Sequence, residues 1–409
     1  MCWRFALAPN LDSGIEDIEF CRGGAHPTDA PPTVWVLLDE KPGHDTQSLG
    51  LAHNLGWSCE EKRLQFNWRG ELPNSMVRGS LASLKESSAA IAQPPWPDLL
   101  IAAGRRTVPI AEWIRQHSLG RTRSVQIGRI GTSLEDHFDL GVAPDYAGLY
   151  PDPRRLEIAM PLTRVSQDSL DAAAKRWRDE LGSGKGPRVA LLVGGTNVEH
   201  EFSPDCAREL GESVKKMVEA MGGSVLVSTS RRTSKTAAEA LLSALGSSCS
   251  HAYVWQTDRE NRENPYMGYL ACADAFVVTG ESASMLAEAC TTGKPVAIFP
   301  LPARSVGIAA WVRSLGRTIG DAVASRAYAR PLNKRGIERP QRGLQRFCAG
   351  MLAKGWVRTG GHSRLLHESL ITHGLAVYFD GSLPPTPTSS VNEMDRVADR
   401  VRAMMGFEK

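Results

Sequence analysis

The sequence lacks most features that would settle its chemistry at once. No apolar run approaches the ~18 residues of a membrane span, and no apolar h-region marks a secretory signal. None of the eight cysteines forms a C-x-x-C pair, and no His/Cys cluster has metal-ligand spacing. No dinucleotide fingerprint or P-loop follows a strand, no G-x-S-x-G elbow occurs, and no D-x-D stands at a strand end. A net charge of +3 is too small to argue for nucleic acid. The expectation is a protein with no metal, no cofactor and no nucleic-acid partner.

What is present is ordinary globular material: 42% hydrophobic and 23% charged residues over 409 positions, enough for two domains. Residues 1–32 are irregular and carry Asp12, Glu16, Asp17 and Glu19. That acidity argues against a mitochondrial transit peptide, and the segment reads as a flexible extension. Cys272 and Cys290 lie in apolar helical contexts and read as small core residues. Unpaired thiols fit a reducing, cytoplasmic compartment.

From Thr33 to about Gly316, strand and helix patterns alternate, which predicts an α/β fold with parallel sheets. Strands are expected at Thr33–Asp39, Cys59–Asn67, Asp98–Ala103, Ser124–Ile127 and Phe138–Val142. Helices are expected at about Thr46–Leu55, after a polar loop, and at Val108–His117; Arg154–Leu162 reads as a crossover. Gly182–Pro187 is a strong breaker. A second series follows, with strands at Arg188–Val193, Ser224–Ser228, His251–Trp255 and Ala275–Val278, then a last one after Pro295. The predicted architecture is two Rossmann-like domains facing a cleft, over 33–165 and 186–325, binding ligands at the carboxyl ends of the strands. Residues 326–409 hold a basic run (Arg326, Arg330, Lys334, Arg335, Arg339, Arg342, Arg346, with Glu338 among them). Helices at Arg342–Lys354 and Val391–Met405 are expected to pack back across the junction.

Candidate site residues cluster after strands. His44, in Glu40-Lys-Pro-Gly-His-Asp-Thr-Gln47, has the pKa range of a general base. There Gly43 is expected to turn the backbone sharply, with Lys41 and Gln47 as ligand contacts. Gly194 and Gly195 would let a backbone approach a diphosphate. Ser230, Arg231, Arg232 and Thr233 bring hydroxyls and guanidinium groups to a strand end, where arginine pairs with phosphate oxygens. The polar turn Thr279, Gly280, Glu281, Ser282 precedes a helix at about Ala283 and would expose free N–H groups to an anion. Glu288 follows one turn later. Each has a plainer alternative: a bonded loop histidine, a tight turn, a capped helix with solvated arginines, a surface carboxylate.

The block Asn264–Val296 resembles the mitochondrial fission family named for the "elongated mitochondria" phenotype of plants, which has many bacterial members. The matches are Asn264, Pro265, Tyr266, Gly268, Leu270, Ala271, Ala273, Asp274, Val277, Val278, Thr279, Ser282, Ser284, Glu288, Ala289, Thr292, Gly293, Lys294, Pro295 and Val296. Outside it, Gly43, His44, Gln47, Gly104, Arg105, Gly194, Gly195 and Ser230–Thr233 also match. Four positions depart: Glu281 replaces an aspartate, Ala287 a serine, Gly128-Arg129 an Asp-Pro or His-Pro step, and Pro144–Ala147 lacks a histidine. The resemblance implies a GT-B glycosyltransferase-like architecture with a nucleotide-sugar held mainly by the second domain. It adds Gly104 and Arg105 to the ligand set and makes Glu288 the carboxylate for ribose hydroxyls. For plant members it implies an adaptor at the mitochondrial outer surface that recruits a dynamin-related GTPase; were this chain such an adaptor, its basic run and final helix would carry the binding, the run meeting anionic lipid. Three functions stand open: metal-independent sugar transfer or nucleotide-sugar binding, a non-catalytic membrane adaptor, and, third, a nucleotide-sugar epimerase.

Overall fold

The computed structural model describes residues 31–72, 74–90, 92–128, 138–147, 152–182, 186–255, 264–304, 342–353, 362–389 and 392–407, with isolated positions between 316 and 327. The expected flexible extension lies outside them up to residue 30, as do Arg129, Arg330, Lys334, Arg335, Glu338 and Arg339.

The central strands form where apolar residues run on without polar interruption. β1 (Val34–Leu38), β3 (Leu99–Ala103) and β10 (Ala275–Thr279) are buried at every position, the mark of parallel strands covered by helices on both faces. With β2 (Cys59–Arg63), β4 (Arg123–Ile127), β5 (Leu140–Pro144) and β6 (Arg155–Ile158), β1 and β3 form an all-parallel sheet ordered β2-β1-β3-β4-β5-β6. The second sheet adds β7 (Arg188–Gly195), β8 (Ser224–Arg232), β9 (Cys249–Tyr253), β11 (Val296–Phe299) and β12 (Val377–Tyr378) to β10. It is also all parallel, ordered β12-β11-β10-β7-β8-β9. The segment expected to be a crossover, Arg154–Leu162, supplies β6 instead. As an edge strand with only Ile158 buried, it lacks the continuous apolar run that marks its neighbours.

The helices are α1 (Pro42–Leu55), α2 (Asn74–Val77), α3 (Glu86–Ala89), α4 (Val108–His117), α5 (Gln167–Trp177), α6 (Pro204–Ala220), α7 (Lys235–Leu245), α8 (Tyr266–Cys272), α9 (Ala283–Thr291), α10 (Gly343–Ala353), α11 (His362–Thr372) and α12 (Glu393–Met405). Alternate strand residues feed opposite faces. Val34, Val36 and Leu38 pack with Leu51 of α1, while Trp35 and Leu37 pack with Ile110 and Ile114 of α4. In the second sheet Val189 and Leu191 meet α6 and α7, and Ala190 and Leu192 meet α8, α9 and α11.

The chain's last helix crosses back. Val397, Ala398 and Val401 of α12 are 0% exposed, packed with Leu51 and Leu55 of the first domain. Glu393 accepts from the Ala159 N–H at 2.6 Å. The described packing of α10, by contrast, is local: Cys348 and Ala349 meet Ala327. The second element that does span the domains is α11, which the sequence reading passed over. Its Leu366 and Leu370 join the second core, and Ser369 Oγ donates to Asp145 Oδ1 at 2.9 Å, beyond β5. Two Rossmann-like sheets with a returning C-terminal helix make the GT-B-like arrangement that the resemblance implies.

Candidate functional site

In an open parallel sheet, a crevice forms at the carboxyl ends of two neighbouring strands whose crossovers leave in opposite directions. In the first sheet those strands are β1 and β3; in the second they are β7 and β10. Most of the residues singled out from sequence fall at these two points.

At the β1/β3 point, Gly43 and His44 are helical rather than in a loop. α1 begins at Pro42, earlier than the expected Thr46, because proline at the first helical position forfeits no helical hydrogen bond. The sharp turn falls on Glu40 (φ 65), not on Gly43. His44 Nδ1 lies 2.9 Å from Asp39 Oδ2, with Asp39 1% and His44 32% exposed. A carboxylate only accepts, so Nδ1 carries the hydrogen and Nε2 is the basic nitrogen. The ring lies against Gly104 (φ 80), where a Cβ would stand 2.2 Å from His44 Cε1. Arg106 donates to the Asp39 carbonyl at 2.9 Å and comes within 3.8 Å of Oδ2. Arg105 turns elsewhere and donates to the carbonyls of Gly70 and Leu72. Gln47 Nε2 donates to the Gly43 carbonyl at 3.1 Å, and Lys41 is exposed. Asp39 and Arg106 are site residues that the sequence reading missed. The available signal was an acid ending a wholly apolar strand.

At the β7/β10 point, Thr279 Oγ1 accepts from the Gly194 N–H at 2.8 Å, tying the two strand ends together. Gly194 admits no side chain: a Cβ would stand 2.0 Å from Glu281 Oε1. Gly195 (φ 99) could not carry one without strain. Glu281 has no exposed side-chain surface; its Oε1 is 3.4 Å from Arg232 Nη2 and its Oε2 has no hydrogen-bond partner. Burial lifts this carboxyl to about 7, against the pull of Thr279 and Arg232. Ser282 begins α9 without capping it through its side chain, so the first amides of the helix face outward at its positive end. Ser230 and Thr233 instead spend their hydroxyls on the Gly194 and Val193 carbonyls, which shapes the β8 turn. Arg231 is exposed.

Much of the Asn264–Val296 signature is scaffold. Tyr266 Oη donates to Glu288 Oε2 at 2.5 Å, joining α8 to α9; burial raises Glu288 to about 6, opposed by that bond. Asp274 Oδ2 accepts from the Arg188 N–H at 2.8 Å. Lys294 Nζ donates to the carbonyls of Leu270, Ala271 and Ala273 at 3.1, 2.7 and 2.7 Å, closing the end of α8. His367 of α11, also missed from sequence, places Nε2 2.7 Å from the Gly280 carbonyl. Where the family motif's histidine is missing near Asp145, His373 Nε2 lies 3.5 Å from Asp145 Oδ2. Among the described residues, no group of three or more His, Cys, Asp or Glu could hold a metal, and no helix is long and apolar enough to cross a membrane.

The fold and its two switch points define a two-domain Rossmann-like protein. Residues 42–333 match the mitochondrial fission ELM1 family, and the chain belongs to that family. It is 28% identical over 364 residues to mitochondrial fission protein ELM1 of Arabidopsis thaliana, covering 70% of this chain and 82% of the relative. An uncharacterised protein of Rickettsia prowazekii is 25% identical over 302 residues, covering 66% and 83%. Among solved structures, a UDP-N-acetylglucosamine 2-epimerase has a TM-score of 0.45 at 12% identity, covering 93% and 98%. The calicheamicin glycosyltransferase CalG4 has a TM-score of 0.44 at 12% identity, covering 92% and 93%.

Proposed function

We propose that this protein binds a nucleotide-sugar at the β7/β10 switch point and transfers the sugar to an acceptor hydroxyl. The observation that carries the reading is the placement of Thr279–Ser282, ahead of the uncapped α9 terminus, at the position where such sheets take ligands. The diphosphate would rest on the α9 amides and Arg232. Glu288 already accepts from Tyr266 through Oε2, so a ribose contact would fall to Oε1. His44 Nε2 would take the acceptor proton as the acceptor oxygen bonds the anomeric carbon. The anomeric carbon–phosphate oxygen bond breaks, and the diphosphate leaves with the electron pair. Asp39 holds the imidazole and stabilises its cation. Nucleoside diphosphates are expected to raise the melting temperature, with about 2.7 kcal/mol of stabilisation at ~100-fold saturation. His44→Ala should keep that shift and lose transfer. Absence of a shift with every nucleotide overturns the reading.

One observation favours the adaptor alternative. On α10, Leu344 and Phe347 are 57% and 60% exposed, and Arg342 and Arg346 beside them are exposed as well. The apolar face of α12, by contrast, is spent in the first core. Flotation with anionic vesicles, lost on Phe347→Glu, supports a membrane-surface protein; no flotation with turnover of a nucleotide-sugar rules it out.

A further inference from the structure

Glu281 is an acid that the fold has shut in. Its side chain has no exposed surface, and it lies against Gly194, where a Cβ would stand 2.0 Å from Oε1. The Arg232 guanidinium is 3.4 Å from Oε1, and Oε2 is buried without a hydrogen-bond partner. A carboxylate out of reach of water is far costlier than a neutral acid unless a cation stands beside it. The ionised form of Glu281 therefore leans on Arg232.

Arg232 itself faces both ways. Its side chain is 42% exposed, yet Nη2 stands over Gly194, 2.9 Å from where a Cβ would be. The missing side chain at Gly194 makes room for a guanidinium between the buried acid and solvent. Other groups approach the turn from the elements around it. Burial, then Glu209 and Glu281, push the Cys206 thiol of α6 up to about 11, so it stays neutral. His367 of α11 donates from Nε2 to the Gly280 carbonyl at 2.7 Å, and burial lowers its pKa. Arg364 of α11, 74% exposed, lies 3.4 Å from Glu368. His200, on the loop after β7, also stands beside the turn, and Glu281→Gln distinguishes the two.

A diphosphate on the α9 amides would bring two anions to one guanidinium. The ligand keeps water on its outer side, whereas the acid has none to turn to, so the acid is the one to lose its charge. We infer that anion binding at the α9 terminus drives a proton from solvent onto Glu281, leaving Arg232 to the ligand. The site takes its ligand together with a proton, and affinity falls as pH rises. The inference rests on the nucleotide-sugar reading above. Burial puts Glu281 at about 7 in the unliganded chain, which sets this exchange in the neutral range.

Calorimetry on the full chain with UDP, GDP and ADP tests it. Repeating each titration at pH 8 in buffers of different ionisation enthalpy counts the protons taken up. A tenfold shift of the Glu281 proton equilibrium gives uptake of about 0.4 proton per bound nucleotide, and affinity about fivefold weaker at pH 9 than at pH 7. Glu281→Gln, which mimics the protonated acid, should still bind, take up no proton and flatten the pH dependence. Arg232→Gln, a change at an exposed position, should lower the uptake by roughly half or more, because Glu281 then has no cation to lose. Binding without uptake by wild type overturns the inference but spares the nucleotide reading. Uptake that survives in Glu281→Gln assigns the proton to another group, His200 first, and also overturns it. If Glu281→Gln does not fold, undiminished uptake in Arg232→Gln overturns it instead. If none of the three nucleotides binds, the nucleotide-sugar reading fails, and the inference with it.

Discussion

A buried acid beside a glycine pair is the residue on which most depends. Glu281 sits at about 7 in the folded chain against an ordinary 4.5, so between those values the folded state holds more protons than the unfolded one. Its contribution to stability is full below pH 4.5 and is lost as pH rises through about 7. Glu281→Gln should remove up to about 3 kcal/mol of the stability difference between acidic and basic pH, read as urea unfolding at pH 5 and pH 8. An unchanged difference would show that this carboxyl does not titrate with folding. The same scale shows what the sequence could reveal. His44 was legible because histidine has a narrow set of uses. Asp39 was not, because an acid ending a strand looks like any strand end until Glu40 turns the chain and α1 swings His44 back onto it. Tyr266, the partner of Glu288, lies 22 residues away in sequence, and only the packing of α8 on α9 brings the two together.

At the level of elements, the core strands were legible for a simple reason. β1, β3 and β10 are buried on both faces, so their sequences are unbroken apolar runs. β6 is half-exposed at an edge, and α11 draws its contacts from both domains, so neither shows a clear pattern of its own. Lys294, in the turn before β11, reaches across to close α8, whose last carbonyls have no partner within the helix. Lys294→Met keeps the stem and deletes the donors; it should cost about 1–3 kcal/mol by denaturant unfolding, with little change in nucleotide affinity. If affinity falls while stability holds, Lys294 is a ligand contact rather than a cap.

For the whole molecule, the first sheet lacks part of its cover until the end of the chain arrives. Val397, Ala398, Val401 and Met405 seal the face carrying Val34, Val36 and Leu38; a fully buried Val or Met side chain contributes about 1.5–3 kcal/mol, and an alanine less. A chain cut before residue 392 should expose that face and lose the cooperative unfolding of the first domain, seen as dye binding and broadened melting. A synthetic peptide spanning residues 388–409 should restore it; an unchanged, cooperative melt of the truncated chain would show that α12 is dispensable. The same connection sets an order of events at the ribosome. Ala159 and Glu393 are 234 residues apart in sequence, a gap that takes roughly 10–45 s to translate. During that interval the first domain is out of the exit tunnel with an apolar face uncovered, while the second completes its sheet. The half made first is therefore the half completed last.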